Sequence, residues 1–176
     1  MTIRNNYLPA SGLAKPLDFT IICLVDTLKG KTIAVIGGRK ASDELLMEAE
    51  TIGRQVAESG GIILTGGLGG IMEAASRGAS NAGGMVLGIL PGDNKNDANQ
   101  YVSVTVASGL GIGRNVLIAR TADALIAVGG AYGTLSEIAF ALQLGKPVAG
   151  IETWTIEGVM LARNAANAIE LISGQL

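Results

Sequence analysis

The sequence predicts an α/β fold: a Rossmann-like doubly wound parallel sheet with helices on both faces. Three observations carry that expectation. Continuous apolar runs such as Ala124-Leu-Ile-Ala-Val128 fit strands buried on both faces. These runs alternate with stretches of helical spacing, the order that builds a parallel sheet. The packing material is also right for such a sheet. Hydrophobic residues make up 48% of the chain and aromatics only 3%, so the core rests on Val, Ile, Leu and Ala.

The elements follow in order. Residues 1–30 are read as an N-terminal arm, polar and Pro-containing as far as about Lys15, with Phe19 to Val25 as either an edge strand or a short helix. Residues 31–176 form a single domain, because no linker or composition break divides them. Lys31 to Ile36 is the first strand and ends in Gly37-Gly38-Arg39. A helix runs from about Ser42 to Ser59, with Ser42 as cap, Asp43 and Glu44 in the first turn, and Gly60-Gly61 as its stop. Ile62 to Thr65 is a strand. Gly66-Gly67-Leu68-Gly69-Gly70 then opens a helix from Ile71 to about Ala82. Met85 to Leu90 is the third strand, closed by Pro91-Gly92. Asp93 to Gln100 is a polar loop, and Tyr101 to Val106 alternates as a short strand does. Gly109 to Gly113 leads into a helix from Arg114 to Thr121. Then come the strand Ala124–Val128, a helix from Thr134 to Leu144, the strand Lys146 to Ile151, and a final helix over Asn164 to Ser173. Ligands of such sheets bind beyond the carboxyl ends of the strands, so the loops at Gly37, Gly66, Gly109 and Gly129 are expected to converge on one edge.

Composition excludes several classes of function. The 176 residues contain no His, which removes His metal ligands, His general bases and Ser-His-Asp catalysis. Cys23 stands alone and makes neither an internal disulfide nor a cysteine metal site. A net charge of −2 with no basic run argues against a nucleic-acid surface. Phe19 to Val25 is too short to span a bilayer, and no signal peptide begins the chain. The expectation is a cytoplasmic protein with no membrane and no nucleic-acid partner. Asp93, Asn94 and Asp97 match no metal-loop spacing and read as a solvated loop, so no protein-ligated metal is expected.

The chemistry concentrates in Ala124 to Leu144. A buried strand, the turn Gly129-Gly130-Ala131-Tyr132-Gly133-Thr134 and a helix start together favour an anion. Free N–H groups point outward there and the helix dipole is positive. Gly66 to Gly70 offers either a second set of N–H donors or simply tight strand–helix packing. Thr134-x-x-Glu137 matches a capping box, which gives Glu137 a purely local role as one reading. Arg114 opposes the dipole of its own helix unless it faces solvent or a bound phosphate compensates it. Two familiar nucleotide motifs fail. Gly30-Lys31-Thr32 lacks the earlier glycine of a phosphate loop, having Val25 there, and it precedes a strand. The pattern G-x-G-x-x-G started at Gly67 meets Met72 where the last glycine belongs. No NAD is therefore expected.

Gly129-Gly-Ala-Tyr-Gly-Thr-Leu-Ser-Glu137, with Arg114 upstream and Gly66-Gly-Leu-Gly-Gly-Ile-Met72 before it, resembles the LOG-like superfamily, long labelled possible lysine decarboxylases. The resemblance spans about Lys31 to Ile151. It implies one of two functions. LOG enzymes are phosphoribohydrolases that cleave cytokinin nucleoside 5′-monophosphates to free base and ribose 5-phosphate. Molybdenum-cofactor carrier proteins bind the phosphorylated pyranopterin without chemistry. In the enzyme motif, Arg114 and Glu137 would be catalytic. Here, however, Gly129 stands where that motif has Pro, Ala131 where it has its second Gly, and Asn115 where it has Lys. These departures are more similar to the carrier branch. The resemblance thus implies a carrier that stores and transfers molybdenum cofactor, with the hydrolase as alternative. The expected phosphate and cofactor contacts are Gly37, Gly38, Arg39, Gly66, Gly67, Gly69, Gly70, Arg114, Gly129, Gly130, Gly133 and Thr134. The apolar helix Thr134 to Leu144 (Leu135, Ile138, Ala139, Phe140, Ala141, Leu142) points to a homo-oligomer, a dimer or tetramer.

Overall fold

A computed structural model of the chain describes residues 27–176. Residues 1–26 of the proposed arm, Phe19 to Val25 and Cys23 among them, lie outside the described residues; its last residues, 27–30, are described, and Leu28 is buried in the core with its N–H donating to the Ser59 carbonyl at 3.1 Å. The elements are β1 (Thr32–Gly37), α1 (Asp43–Glu58), β2 (Ile62–Thr65), α2 (Ile71–Asn81), β3 (Val86–Leu90), β4 (Val104–Ala107), α3 (Asn115–Thr121), β5 (Ala124–Val128), α4 (Tyr132–Gln143), β6 (Val148–Ile151), β7 (Val159–Leu161) and α5 (Ala165–Ser173). Short 3₁₀ turns occupy Lys95–Asp97 and Gly111–Arg114.

All the strands pair in parallel, in the order β4-β3-β2-β1-β5-β6-β7. The chain works outward from β1 to β4, crosses back, and restarts beside β1 with β5. The order of strands therefore reverses between β1 and β5, which is where doubly wound sheets open a crevice. Alternation along each strand divides the core in two. Ile33 and Val35 of β1 pack with Ile52 of α1, Ala75 of α2 and Ile172 of α5 on one face. Ala34 and Ile36 pack with Ile118 of α3 and Ile138 of α4 on the other. The α/β fold with helices on both faces is as the sequence predicts.

Local chemistry explains most element boundaries. Ser42 caps α1 by accepting from the Leu45 N–H, and Asn164 caps α5 by accepting from the Asn167 N–H. Several boundaries differ from expectation, among them the start of the helix after β5, at Tyr132 and not Thr134. The fourth strand begins at Val104, because Val102 N–H turns back to the Asn99 carbonyl. The 3₁₀ turn takes up Arg114, so α3 starts one residue later at Asn115. Strand β7 was not expected; it pairs Val159 with Val148 on the open edge of β6. Helix α4 buries Ile138 and Ala141, while Ala139 and Phe140 are exposed.

Asp123 fastens the centre of the sheet. Its Oδ2 accepts from the Thr32 N–H at 2.8 Å, and its own N–H donates to the Thr32 carbonyl at 2.8 Å. A part-buried, charge-assisted bond of this kind contributes about 1.5–3 kcal/mol. Asp123→Ala is expected to cost about 2 kcal/mol in urea unfolding, and Asp123→Asn, which keeps an acceptor oxygen, clearly less. Equal losses for the two variants would refute this role for the side chain.

Candidate functional site

A cavity of about 320 Å³ opens at the carboxyl ends of β1, β2, β3 and β5, over the reversal in strand order. That volume is at the lower end for small-molecule sites. Its walls come from five places: Ile36, Gly37, Gly38 and Arg39 at and after the end of β1; Gly66, Leu68 and Met72 after β2; Pro91 after β3; Gly111, Ile112, Arg114 and Asn115 before and within α3; and Ala131, Gly133, Thr134 and Glu137 at the start of α4.

The start of α4 is a polar wall, with Thr134 and Glu137 on it. Gly129 and Gly130 take positive φ (54° and 122°) and turn the chain out of β5. The helix then begins at Tyr132 with Ala131 as its cap residue, which offers no side-chain bond. Its first N–H groups have no carbonyl one turn back. Asn115 braces this turn, donating from Nδ2 to the Gly133 carbonyl at 3.2 Å and to Ser136 Oγ at 2.8 Å. The Tyr132 ring lies against Trp154, centroids 6.0 Å apart.

Inside the cavity Arg114 and Glu137 form an ion pair. Arg114 Nη1 donates to Glu137 Oε1 at 2.8 Å, with side-chain exposures of 10% and 7%. Burial pushes the Glu137 carboxyl up to about 7, and the Arg114 guanidinium holds it from rising further. Arg114 Nε is buried with no hydrogen-bond partner among the described residues. The capping box read from Thr134-x-x-Glu137 does not form. With α4 starting at Tyr132, Thr134 is the third helical residue and Glu137 lies in the second turn. Arg114 is compensated in this structure by Glu137.

Gly66 makes room for that pair, since a Cβ there would fall on the Arg114 guanidinium and lie 2.6 Å from Met72 Sδ. The rest of its loop is spent on packing. Gly67 N–H donates to Thr65 Oγ1 at 3.1 Å, and the Ile71 N–H at the start of α2 donates to the Gly38 carbonyl at 3.1 Å. Of the expected contacts, Gly37, Gly38, Arg39, Gly66, Arg114, Gly133 and Thr134 line the cavity, with Glu137 beside them. Gly67, Gly70, Gly129 and Gly130 do not line it; they shape the loops behind it. Gly69 faces a neighbouring hollow with Arg39, Glu73 and Asp97. Sequence reasoning missed Leu68, Pro91 and Ile112 as wall residues. Their signal was position alone: each sits just past a strand end or between glycines at the ligand edge.

The sequence pattern of the SLOG cluster4 family matches residues 30–174. The chain belongs to that family. It is 41% identical over 143 residues to a protein of Archaeoglobus fulgidus, covering 81% of this chain and 94% of that one. Among solved structures it is similar to the molybdenum cofactor binding protein of Rippkaea orientalis, with TM-score 0.78, 35% identity, and coverage of 82% of this chain and 96% of that one. It is likewise similar to the molybdenum cofactor carrier protein of Chlamydomonas reinhardtii, with TM-score 0.74, 34% identity and the same coverages. A rice protein (Oryza sativa subsp. japonica) named "Probable cytokinin riboside 5'-monophosphate phosphoribohydrolase LOGL5" is 34% identical over 106 residues, covering 57% of this chain and 42% of that protein. Among the described residues no helix is long and apolar enough to cross a membrane, and no group of three or more acidic or Cys side chains could hold a metal.

Proposed function

We propose that the cavity binds a phosphorylated cofactor, and that its cargo is molybdenum cofactor, held by its phosphate and passed on unchanged. The observation that carries this reading is the first turn of α4. It presents free N–H groups at Gly133 and Thr134 to a cavity whose walls also hold Arg39 and Arg114. The residues suit an anionic ligand. Among the described residues Glu137 is the one carboxylate lining the cavity; it is neutralised by Arg114, and its burial favours the protonated form. The similarity to two solved molybdenum cofactor proteins over nearly their whole length supports the choice of cargo. A homo-oligomer, joined through the exposed Ala139 and Phe140 of α4, belongs to the same proposal.

One observation favours a second reading. Arg114 and Glu137 both face the cavity, and a carboxyl near 7 is suited to acid–base work on a glycosidic bond. A nucleoside-monophosphate phosphoribohydrolase would use that pair. Two assays separate the readings. Incubation with AMP and its prenylated analogue is expected to release no free adenine-type base or ribose 5-phosphate. Anaerobic titration with molybdenum cofactor is expected to give molybdenum and pterin co-eluting with the protein. Turnover that disappears in Glu137→Gln would overturn the carrier reading and make Glu137 catalytic.

A further inference from the structure

The walls of the cavity differ along the sheet edge. Gly133 and Thr134 follow β5, whereas Leu68 and Pro91 follow β2 and β3. Strands lie about 4.8 Å apart, so the three steps from β5 through β1 and β2 to β3 span roughly 14 Å. The α4 end offers N–H donors. The β2–β3 end offers Leu68, Met72 and Pro91, all apolar. Ile112 belongs to this second set and is its anomaly, because it lines the cavity while 75% exposed. A β-branched apolar side chain is held in water there by a turn that glycines bound. Gly109 and Gly111 take positive φ (64° and 55°), and Gly113 has open space around it. Nothing within the described residues buries Ile112, although Arg114, two residues on, is almost wholly buried. Apolar surface left at the rim of a cavity is covered when a ligand with a flat apolar part enters.

We infer that Ile112 is a specificity-determining residue that covers the ring portion of the ligand, at the β2–β3 end, apart from the phosphate at α4. The inference rests on the reading that the cavity takes a phosphorylated ligand. On this arrangement the phosphate supplies anchorage common to every phosphate ester. Selection among them comes from the ring held between Ile112 and the apolar wall. A ligand with phosphate and sugar but no ring reaches only the α4 half.

Calorimetric titration with two probes tests this. AMP carries a ring, and ribose 5-phosphate shares its phosphate and sugar without one. The wild-type chain is expected to bind AMP more tightly than ribose 5-phosphate. Ile112→Ser is expected to weaken AMP by about five- to tenfold while leaving ribose 5-phosphate within about twofold; Ile112→Val keeps most of the preference. Circular dichroism of each variant confirms that the fold is retained, which an exposed position allows. Equal weakening of both probes, or unchanged AMP affinity in Ile112→Ser, would overturn the role of Ile112 while leaving phosphate binding in place. Failure of the wild-type chain to bind either probe would overturn the phosphate site at α4 and the role of Ile112 with it, while the choice of cargo stands or falls by the anaerobic titration.

Discussion

Arg114→Met is expected to destabilise the protein by about 3–5 kcal/mol at pH 8 and by far less at pH 5. The guanidinium is almost fully buried, and its clearest partner is Glu137, equally buried, at 2.8 Å. Removing it leaves a largely buried carboxyl without its cation. The sign of the pH dependence follows from Glu137. Burial raises this carboxyl from 4.5 to about 7 in the folded chain, even with Arg114 beside it. A group raised on folding binds its proton more tightly in the native state. Its contribution to wild-type stability is therefore full below about pH 4.5, declines as pH rises to about 7, and then levels off. Arg114 is the influence that restrains the rise. Without it the folded value moves higher, and the decline continues above pH 7. Wild type and variant thus differ little near pH 5, where Glu137 is largely protonated in both, and diverge at pH 8. Urea midpoints at pH 5, 7 and 8 check this. The double variant Arg114→Met/Glu137→Gln is expected to recover most of the loss at pH 8, because no lone charge stays buried. A cost that is the same at both ends of the pH range would refute the ion-pair account.

The same pair marks where sequence reading stopped. The fold was legible because its determinants are local and repeated. Ala124–Val128 is apolar throughout, Ser42 and Asn164 sit at helix starts, and glycines close the strands. The ligand edge was legible for the same reason. The pairing of Glu137 with Arg114 was not, since the two lie 23 residues apart and the local pattern Thr134-x-x-Glu137 offered a cap; only the family resemblance named both residues as candidates for one site. The two glycines at 129 and 130 move the start of α4 forward to Tyr132, and that shift turns a plausible cap into a buried carboxylate. Strand β7 escaped notice because two half-buried residues and the exposed Leu161 carry no period; it exists because β6 offers an open edge. The loop Gly66–Gly70 could be read two ways from sequence. The structure divides it, with Gly66 on the cavity wall and Gly67 and Gly70 fitted against backbone and side chains behind.

Gly78→Ala is expected to cost about 3 kcal/mol, although alanine favours a helix by about 1 kcal/mol over glycine. The obstacle is backbone. A Cβ at Gly78 would run into the Glu50 carbonyl oxygen of α1, and would lie 2.8 Å from its carbon and 3.0 Å from the Arg54 nitrogen. Gly53 has the reciprocal position on α1, where a Cβ would run into the Ala75 carbonyl of α2 and lie 3.0 Å from the Ala79 nitrogen. Each helix thus presents a glycine to the backbone of the other, and neither can yield as a flexible side chain would. Relief requires the helices to separate, which loosens Ile52 and Val56 against Ala75 and Ala79. The ion pair Arg77–Glu50 at 2.7 Å across the same contact is too exposed to hold them together. Denaturant midpoints check the cost, with Gly113→Ala as control. A Cβ at Gly113 meets nothing within 4 Å among the described residues, so that change is expected to stay within about 0.5 kcal/mol. A Gly78→Ala protein as stable as wild type would show that the helices can shift freely. The consequence reaches the cavity, because α2 carries Met72 on its wall and its Ile71 N–H holds the Gly38 carbonyl. Displacing α2 moves both, so AMP affinity is expected to fall in Gly78→Ala even under conditions where the chain stays folded.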